Sequence, residues 1–387
     1  MMDHRGRPQR HHILHLLRLL PRNQARKPSG DRQTVVCILL PVAVVLTNSR
    51  ELEALGTRIL VKAGASPSNA ALVAHHLALA DASGMASHGM LHLPGYVRDI
   101  EAGLLQPAAV PVVQSRDPSA ILINGNWTFG QVAGMDALSE AIEAAQVVGI
   151  AAAGIVACHH LGRLGHYAEI AAAQGYVLIG WVGGQGEEEP HAAAYGGRSR
   201  VIGTNPIVFG FPGDQLGPIT YDFATTATAG TKIASARDRG QILPPGCIID
   251  KDGHPSTDPA DFFEGGAHVP FGEHKGYAIA LSAEWLGRIL LGTDRFTTVG
   301  RGTPILRHQG ALFVVIRANI FAPSEMVADA SDATYTRIES SSPRPGFDKV
   351  MLPGQLEIRS RVRSEENGIE IDSKTWAEIM RLEGKLG

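Results

Sequence analysis

The chain has little cysteine, few aromatic residues and no excess charge of either sign, and each shortage removes a class of protein. Three cysteines, Cys37, Cys158 and Cys247, occur in 387 residues. They cannot all pair with one another and none sits in a C-x-x-C, so neither a disulfide framework nor a zinc ribbon is expected. This usage fits a reducing compartment, the cytoplasm. The formal net charge is only −3, so no basic footprint for nucleic acid exists and any phosphate contact must be local. The apolar run 35–46 contains Pro41 and is shorter than the roughly 20 residues a membrane helix needs. Neither H-E-x-x-H nor a Cys/His series at finger spacing is present, so no metal is expected. G-x-G-x-x-G is also missing: Gly184-Gln185-Gly186 and Gly300-Arg301-Gly302 lack the third glycine, which disfavours a Rossmann fold.

What remains is globular and suits an enzyme acting on a small molecule. Hydrophobic residues make up 44% and charged residues 19%, and the length allows two domains with a sizeable core. Residues 1–46 stand apart, with an Arg- and His-rich start and then the apolar run. The start mimics a secretory signal but lacks a small-residue cleavage site, so it reads as a non-structural extension. Val42 to Leu46 can instead form a first strand.

From Thr47 the pattern is regular. Asn48 and Glu51 have capping-box spacing, and Leu52, Leu55, Ile59 and Leu60 follow at helical intervals. Ser66-Pro67 opens a second helix that Gly84 ends. A helix from Gly130 to Gln146 feeds a buried strand, Ile150 to Ala157. After a turn from His159 to Gly165 come a short helix, Tyr167 to Gln174, and a strand, Tyr176 to Val182. This alternation marks an α/β body. Val201 to Phe211, Ile219 to Phe223 and Ala311 to Ile316 read as strands, Gly276 to Leu291 as a helix, Thr293 to Gln309 as loop, the stretch from there through Pro345 only as polar, and 374–386 as a final amphipathic helix.

The densest chemistry lies in Cys158-His159-His160-Leu161-Gly162-Arg163-Leu164-Gly165-His166, directly after a predicted strand. Imidazole takes or gives a proton near neutral pH, and loops at strand ends are where α/β proteins place such groups. These residues could equally be turn formers bonded to backbone. Ser87-His88-Gly89 is a second cluster, but without a G-x-S-x-G elbow a nucleophilic serine is not indicated. Asp250-Lys251-Asp252-Gly253 has its glycine too early for a calcium loop and reads as a turn. Gly203-Thr204-Asn205-Pro206, Asp222-Phe223-Ala224-Thr225-Thr226 and Glu273-His274-Lys275-Gly276-Tyr277 are polar islands at the ends of apolar runs. Each could hydrogen-bond a nucleotide or merely turn the chain.

Taken in order, these segments resemble the type-2 malate/L-lactate dehydrogenase family. Ser87-His88-Gly89 with Pro94 and Tyr96, then His160-Leu161-Gly162, Gly203 to Pro206, Asp222 to Thr225, Thr257-Asp258-Pro259 and Lys275-Gly276-Tyr277 carry the likeness from Thr47 to the C-terminus. The His-His-x-Gly-Arg-x-Gly run is most similar to the hydroxycarboxylate dehydrogenase B branch. The resemblance implies reversible hydride transfer between NAD or NADP and a small 2-hydroxy acid, with His160 as general acid/base and Ser87 and His88 lining the site. Asn205, Asp222, Phe223, Ala224 and Lys275 would lie along the cofactor. It further implies a non-Rossmann, largely antiparallel nucleotide-binding sheet, a helical domain built from both chain ends, and a homodimer. The expected parts are an extension 1–46, a helical domain 47–115, a nucleotide domain 116–292 and a returning segment 293–387. Cyclic imino acid reduction is the neighbouring alternative, and a metal-dependent hydrolase on His159, His160 and His166 the distant one.

Two departures stand out. His92 occupies a position where many family members carry Arg, and imidazole lacks the bidentate guanidinium fork that grips a carboxylate. Three consecutive acids, Glu187 to Glu189, replace a more apolar loop and would repel an anionic substrate or face solvent.

Overall fold

A computed structural model describes residues 44–213 and 217–386. The proposed extension up to residue 43 lies outside the described residues. Val44 to Leu46 do not belong to it, because they form strand β1 (Val44–Thr47), which pairs antiparallel with β14 (Ile369–Asp372), Val45 opposite Ile371.

The first helices form where side chains satisfy their exposed N–H groups. α1 (Ser49–Lys62) is capped by the Asn48 carboxamide, which accepts from Glu51 N–H at 3.0 Å, and it buries Leu52, Leu55, Ile59 and Leu60 along one stripe. α2 (Pro67–Ala82) is capped by Ser66 and has proline in its first turn. With α3 (Leu93–Glu101) these helices share a core with Ile369 and Ile371 of β14 and Ile379 of α11 (Ser373–Leu386). The two chain ends therefore meet in one apolar layer.

The body is a seven-stranded sheet. Its members are β2 (Val112–Arg116), β3 (Ala120–Asn124), β4 (Ile150–Val156), β5 (Tyr176–Gly183), β8 (Ile207–Phe211), β9 (Ile219–Phe223) and β13 (Gly310–Arg317). In space they run β2-β3-β4-β13-β5-β8-β9, and only β3 and β4 are parallel, so the sheet is largely antiparallel. Strand β13 arrives from far along the chain and enters between β4 and β5, which makes both of them central. α4 (Gly130–Val148) and α5 (Gly165–Ala173) cover the sheet through small residues such as Ala133, Ala137 and Ala168, packed against Ile155, Tyr167 and Phe313.

A smaller sheet holds β6 (Ala192–Ala193), β7 (Arg200–Ile202), β10 (Ile248–Ile249), β11 (Pro255–Ser256) and β12 (Ala267–His268). Beside it lie α6 (Gly230–Asp238), α7 (Pro259–Phe263) and α8 (His274–Glu284), the last continued by a π-helical turn over Trp285–Ile289. The single strand expected over Val201 to Phe211 is thus two strands in two sheets. Asn205 sits at φ +37° and Pro206 donates no hydrogen bond, so the chain leaves one sheet there and enters the other. The polar stretch through Pro345 contains a helix that its pattern does not announce, α9 (Ser324–Glu339), and α10 (Gln355–Asn367) follows it. Neither has an apolar stripe of the usual width; α9 buries no residue and α10 only Ser360.

Candidate active site

The histidine loop leaves the C-terminal end of β4 through Ala157, a non-glycine residue at φ +49°, opposite Asn126 and Trp127, which are also left-handed. Three strained residues at one crossing are held by cross-bonds: Trp127 N–H donates to Ala157 O at 2.7 Å and His159 N–H to Thr128 O at 2.9 Å. Gly130, the first residue of α4, lets the loop lie flat on that helix. A Cβ there would sit 2.3 Å from His159 O and 2.4 Å from His160 O.

The second cluster, Ser87 to His92, folds onto the same place. The buried Asp81 carboxylate accepts from Met90 N–H at 2.7 Å, and a Cβ on Gly89 would fall 2.1 Å from that carboxylate, so only glycine fits. Burial pushes Asp81 up to about 7 despite this bond. His92 Nε2 donates to Ser87 O of its own turn at 2.8 Å, since a carbonyl oxygen only accepts. Ser87 Oγ lies 3.0 Å from His88 Nδ1.

His160 is the centre of this arrangement. Its ring lies 4.5 Å from that of His92 and is stacked on His88 at 5.8 Å. Its Nδ1 is 2.9 Å from the Tyr96 hydroxyl, and Gln131 Nε2 donates to the same hydroxyl at 2.8 Å. Its Nε2 has no hydrogen-bond partner among the described residues, and the residue is only half-buried. Desolvation and the neighbouring histidines hold its pKa well below the usual value, and burial brings His88 and His92 down to about 4. All three rings are neutral at pH 7. His159 points the other way, is buried, and meets Asp99 at 3.0 Å through Nε2.

On the far side of the loop the Asp222 carboxylate accepts from Leu164 and Gly165 N–H, at the start of α5, with Arg163 nearby. A residue expected along the cofactor therefore also fastens the histidine loop. Burial raises its pKa. Phe223 and Ala224 follow at the strand end, and Phe223 packs edge-on against Phe271 at 5.5 Å. Phe271 N–H donates to Thr225 O, which brings the exposed Lys275, in the first turn of α8, near the same segment. Asn205 is fully buried instead. Its Nδ2 donates to Ala280 O at 3.0 Å and to Glu284 at 2.9 Å, tying the loop after β7 to α8. The acidic loop faces solvent, all three acids being exposed, and two of them are paired: Glu187 with Arg288, and Glu188 with Arg307 at 2.6 Å.

The start of α6 and of α8 lack a side-chain cap. Two helix N-termini without side-chain caps, following the Asp222 to Thr226 segment in sequence, fit a dianionic, two-phosphate cofactor. Gln131, Asp81 and Asp99 were not found by sequence reasoning. The one available signal was chemical: Gln131 is a fully buried amide on an alanine-rich helix.

Residues 47–380 match the malate/L-lactate dehydrogenase family. Hydroxycarboxylate dehydrogenase B of Escherichia coli O157:H7 is 35% identical over 329 residues, 84% of this chain and 90% of that protein. A Delta(1)-pyrroline-2-carboxylate reductase of Ancylobacter novellus is 33% identical over 84% of this chain and 93% of its own. The solved structure of a sulfolactate dehydrogenase from Methanocaldococcus jannaschii superposes with a TM-score of 0.80 at 30% identity, covering 89% of this chain and 98% of the other. With its sheet, its histidine loop and these likenesses, the chain is a nicotinamide-dependent 2-hydroxycarboxylate dehydrogenase and belongs to the malate/L-lactate dehydrogenase family.

Proposed function

We propose that His160 is the general acid/base of the hydride transfer, and the observation that carries this is its free Nε2 on a ring anchored at Nδ1. In oxidation, Nε2 takes the proton of the substrate C2 hydroxyl as the C2–H bond releases its hydride; in reduction the same nitrogen returns the proton to the carbonyl oxygen. NAD or NADP supplies the hydride acceptor and donor. The neutral ring is the base in the tautomer that leaves Nε2 bare, and its depressed pKa makes the imidazolium a ready acid once formed.

Ser87 and His88 line the substrate side, with His88 Nε2 free to donate because Nδ1 faces the Ser87 hydroxyl. His92 is a neutral ring and offers no cation, so the substrate carboxylate meets neutral donors there. Asp222, Phe223, Ala224 and Lys275 lie along the cofactor, with Lys275 and the α6 and α8 N-termini facing its phosphates and the half-exposed Phe223 ring offered to an aromatic base. Asn205 supports them from behind.

A cyclic imino acid is the second substrate class, supported by the reductase among the relatives. Among the described residues no three His, Cys, Asp or Glu side chains converge to hold a metal ion, which leaves the hydrolase reading without support. No helix among them is long and apolar enough to cross a membrane. We read the protein as a cytoplasmic homodimer. Exposed Met326, Phe347 and Leu356 supply apolar surface for a second copy, and light scattering on the purified protein tests this.

The deciding experiment follows NAD(P)H absorbance against 2-oxo and cyclic 2-imino acids with both cofactors, for wild type and His160→Ala. Turnover of 2-oxo acids that the variant loses supports the reading. Equal activity of the two proteins overturns it.

A further inference from the structure

Tyr96 and Gln131 reach the one nitrogen of His160 that the substrate does not use. Tyr96 is 2% exposed and Gln131 not at all. Gln131 Nε2 donates to the Tyr96 oxygen at 2.8 Å, and the phenol oxygen lies 2.9 Å from His160 Nδ1. Gln131 Oε1 is buried without a partner.

A phenol has a single hydrogen. While the amide presents NH2 to Tyr96, that hydrogen has one acceptor left, His160 Nδ1, which must then be bare; His160 carries its proton on Nε2. The doubly protonated ring needs the reverse. Its Nδ1–H has to donate to the phenol oxygen, and the phenol hydrogen has to find another acceptor. Gln131 Oε1, unpartnered and on the amide already touching the phenol, becomes that acceptor when the amide turns over by half a rotation. The same arrangement leaves Nε2 bare in the neutral ring, the form that accepts the hydroxyl proton.

We propose that Gln131 is a positioning residue whose amide orientation is coupled, through the Tyr96 hydroxyl, to the tautomer and proton load of His160. It touches neither substrate nor cofactor. The inference rests on His160 being the acid/base, but the coupling itself is a property of the hydrogen-bond chain. In oxidation the ring starts with Nδ1–H and bare Nε2 and gains at Nε2 the one proton the substrate hydroxyl loses, with phenol and amide unmoved. Their reorientation accompanies the separate exchange with the Nε2–H tautomer, in which one nitrogen gives a proton to solvent and the other takes one up.

The groups around the ring limit what else could set its charge. His88 and His92 face it from the Ser87 to His92 turn, Tyr96 from α3, His76 from α2 and His159 from its own loop. One anion, Asp99 of α3, already acts on Tyr96 and meets His159 Nε2, so a carboxylate placed at position 131 brings a second negative charge against the phenol.

The test uses two variants of the full-length protein. Gln131→Glu supplies only acceptors to Tyr96 and holds Nδ1 protonated; Gln131→Met removes both amide groups and leaves Nδ1 as the sole acceptor. For oxidation, the acidic limb of the kcat/KM profile is expected to move up by about one pH unit or more in Gln131→Glu and to move down in Gln131→Met, whose kcat falls roughly tenfold or more. Nitrogen-15 spectra of histidine-labelled protein, with His160 assigned by its absence in His160→Ala, read the tautomer without turnover. Nδ1 protonated in the Glu variant and bare in the Met variant supports the proposal. Unchanged His160 shifts and unmoved limbs in both variants, with activity lost only in step with stability, overturn it. Should the shifts move while His160→Ala keeps full activity, the chain of bonds stands and the acid/base assignment fails. If Gln131→Glu does not fold, the Met variant decides alone: a limb and a tautomer identical to wild type defeat the proposal.

Discussion

Two histidine clusters lie on opposite sides of the loop after β4, and they differ in one respect that matters. His88, His92 and His160 face the cleft with ring centres 4.5 to 6.3 Å apart; His75, His76 and His166 face the helical layer, with His166 4.6 Å from His76 and 5.9 Å from His75. Burial depresses His160 on one side and His76 and His166 on the other. A shifted pKa therefore does not distinguish them. What does is access. His160 keeps a free Nε2 on a half-exposed ring, whereas His76 is sealed, its Nε2 on Arg163 O at 3.1 Å, and His166 is enclosed beside Tyr167. The first cluster can exchange a proton with a substrate and the second can only hold the loop's underside.

The largest expected effect separates them directly. His160→Ala should lower kcat by roughly 10² to 10⁴-fold with little change in melting temperature or cofactor affinity, the range general acid/base catalysis supplies. His166→Ala should do the reverse, removing buried volume and lowering the melting temperature while the folded fraction turns over at nearly the wild-type kcat. Stopped assays beside calorimetry on both variants check this. Were both to lose kcat equally, the division into a chemical and a structural cluster would collapse.

Next in size is the ion network that separates the clusters. Arg163 Nη2 meets Glu169 at 2.8 Å and Arg361 Nη1 meets the other Glu169 oxygen at 2.8 Å, all with little solvent. The two guanidiniums hold Glu169 down to about 2 against its burial. Glu169→Gln takes the ion-pair partner from Arg163 and Arg361, leaving Arg163 only the more distant Asp222 and Glu357, and should cost up to about 3–5 kcal/mol, as breaking buried pairs does. Denaturant titration measures it. A loss below about 1 kcal/mol would mean that the network contributes no more than a surface pair.

These contrasts also show what sequence could and could not reveal. Local rules predicted the caps at Asn48 and Ser66 correctly, because a cap and its partner are three residues apart. The loop at His160 was legible as a candidate for the same reason: strand, glycines and imidazoles are contiguous. The antiparallel sheet came through resemblance alone, since β13 reaches its neighbours from more than a hundred residues away. The break at Asn205 was hidden inside an apolar run, and α9 and α10 lack the apolar stripe by which helices are read. Gln131 and the Glu169 to Arg361 pairing are long-range facts that no spacing encodes.

Stability against pH sharpens the comparison on a smaller scale. The histidines are depressed in the fold, to about 4 for His88 and His92, so the unfolded chain binds more protons between that value and about 6.5. Their contribution is complete above about 6.5 and is lost as pH falls toward 4. Asp81 is raised to about 7, so its contribution is complete below about 4 and is lost as pH rises through 7. Asp81→Asn, which retains an acceptor for Met90 N–H, should raise the melting temperature at pH 8 relative to wild type and leave the acid-side fall unchanged. Melting curves from pH 4 to 9 test both statements; a gain at pH 5 as large as that at pH 8 would contradict the assigned sign.

The smallest expected effect concerns His159, which adjoins His160 in sequence and belongs to neither cluster. Its side chain is buried, its Nε2 meets Asp99 at 3.0 Å, and its ring stands edge-on to Tyr96 at 5.6 Å. It braces α3 against the loop, and so the Tyr96 that anchors His160, without reaching the cleft itself. His159→Asn keeps a short polar side chain, and the main-chain bond from residue 159 to Thr128 O is unaffected by the change. We expect a loss in kcat of less than about tenfold, an unshifted pH profile, and a modest fall in melting temperature, because a brace acts on position and not on the proton. Placing this variant beside His160→Ala in the same assay settles which histidine of the pair does the chemistry. If His159→Asn were the dead enzyme and His160→Ala the active one, the cleft would have to be rebuilt around Asp99, and the free Nε2 of His160 would lose its meaning.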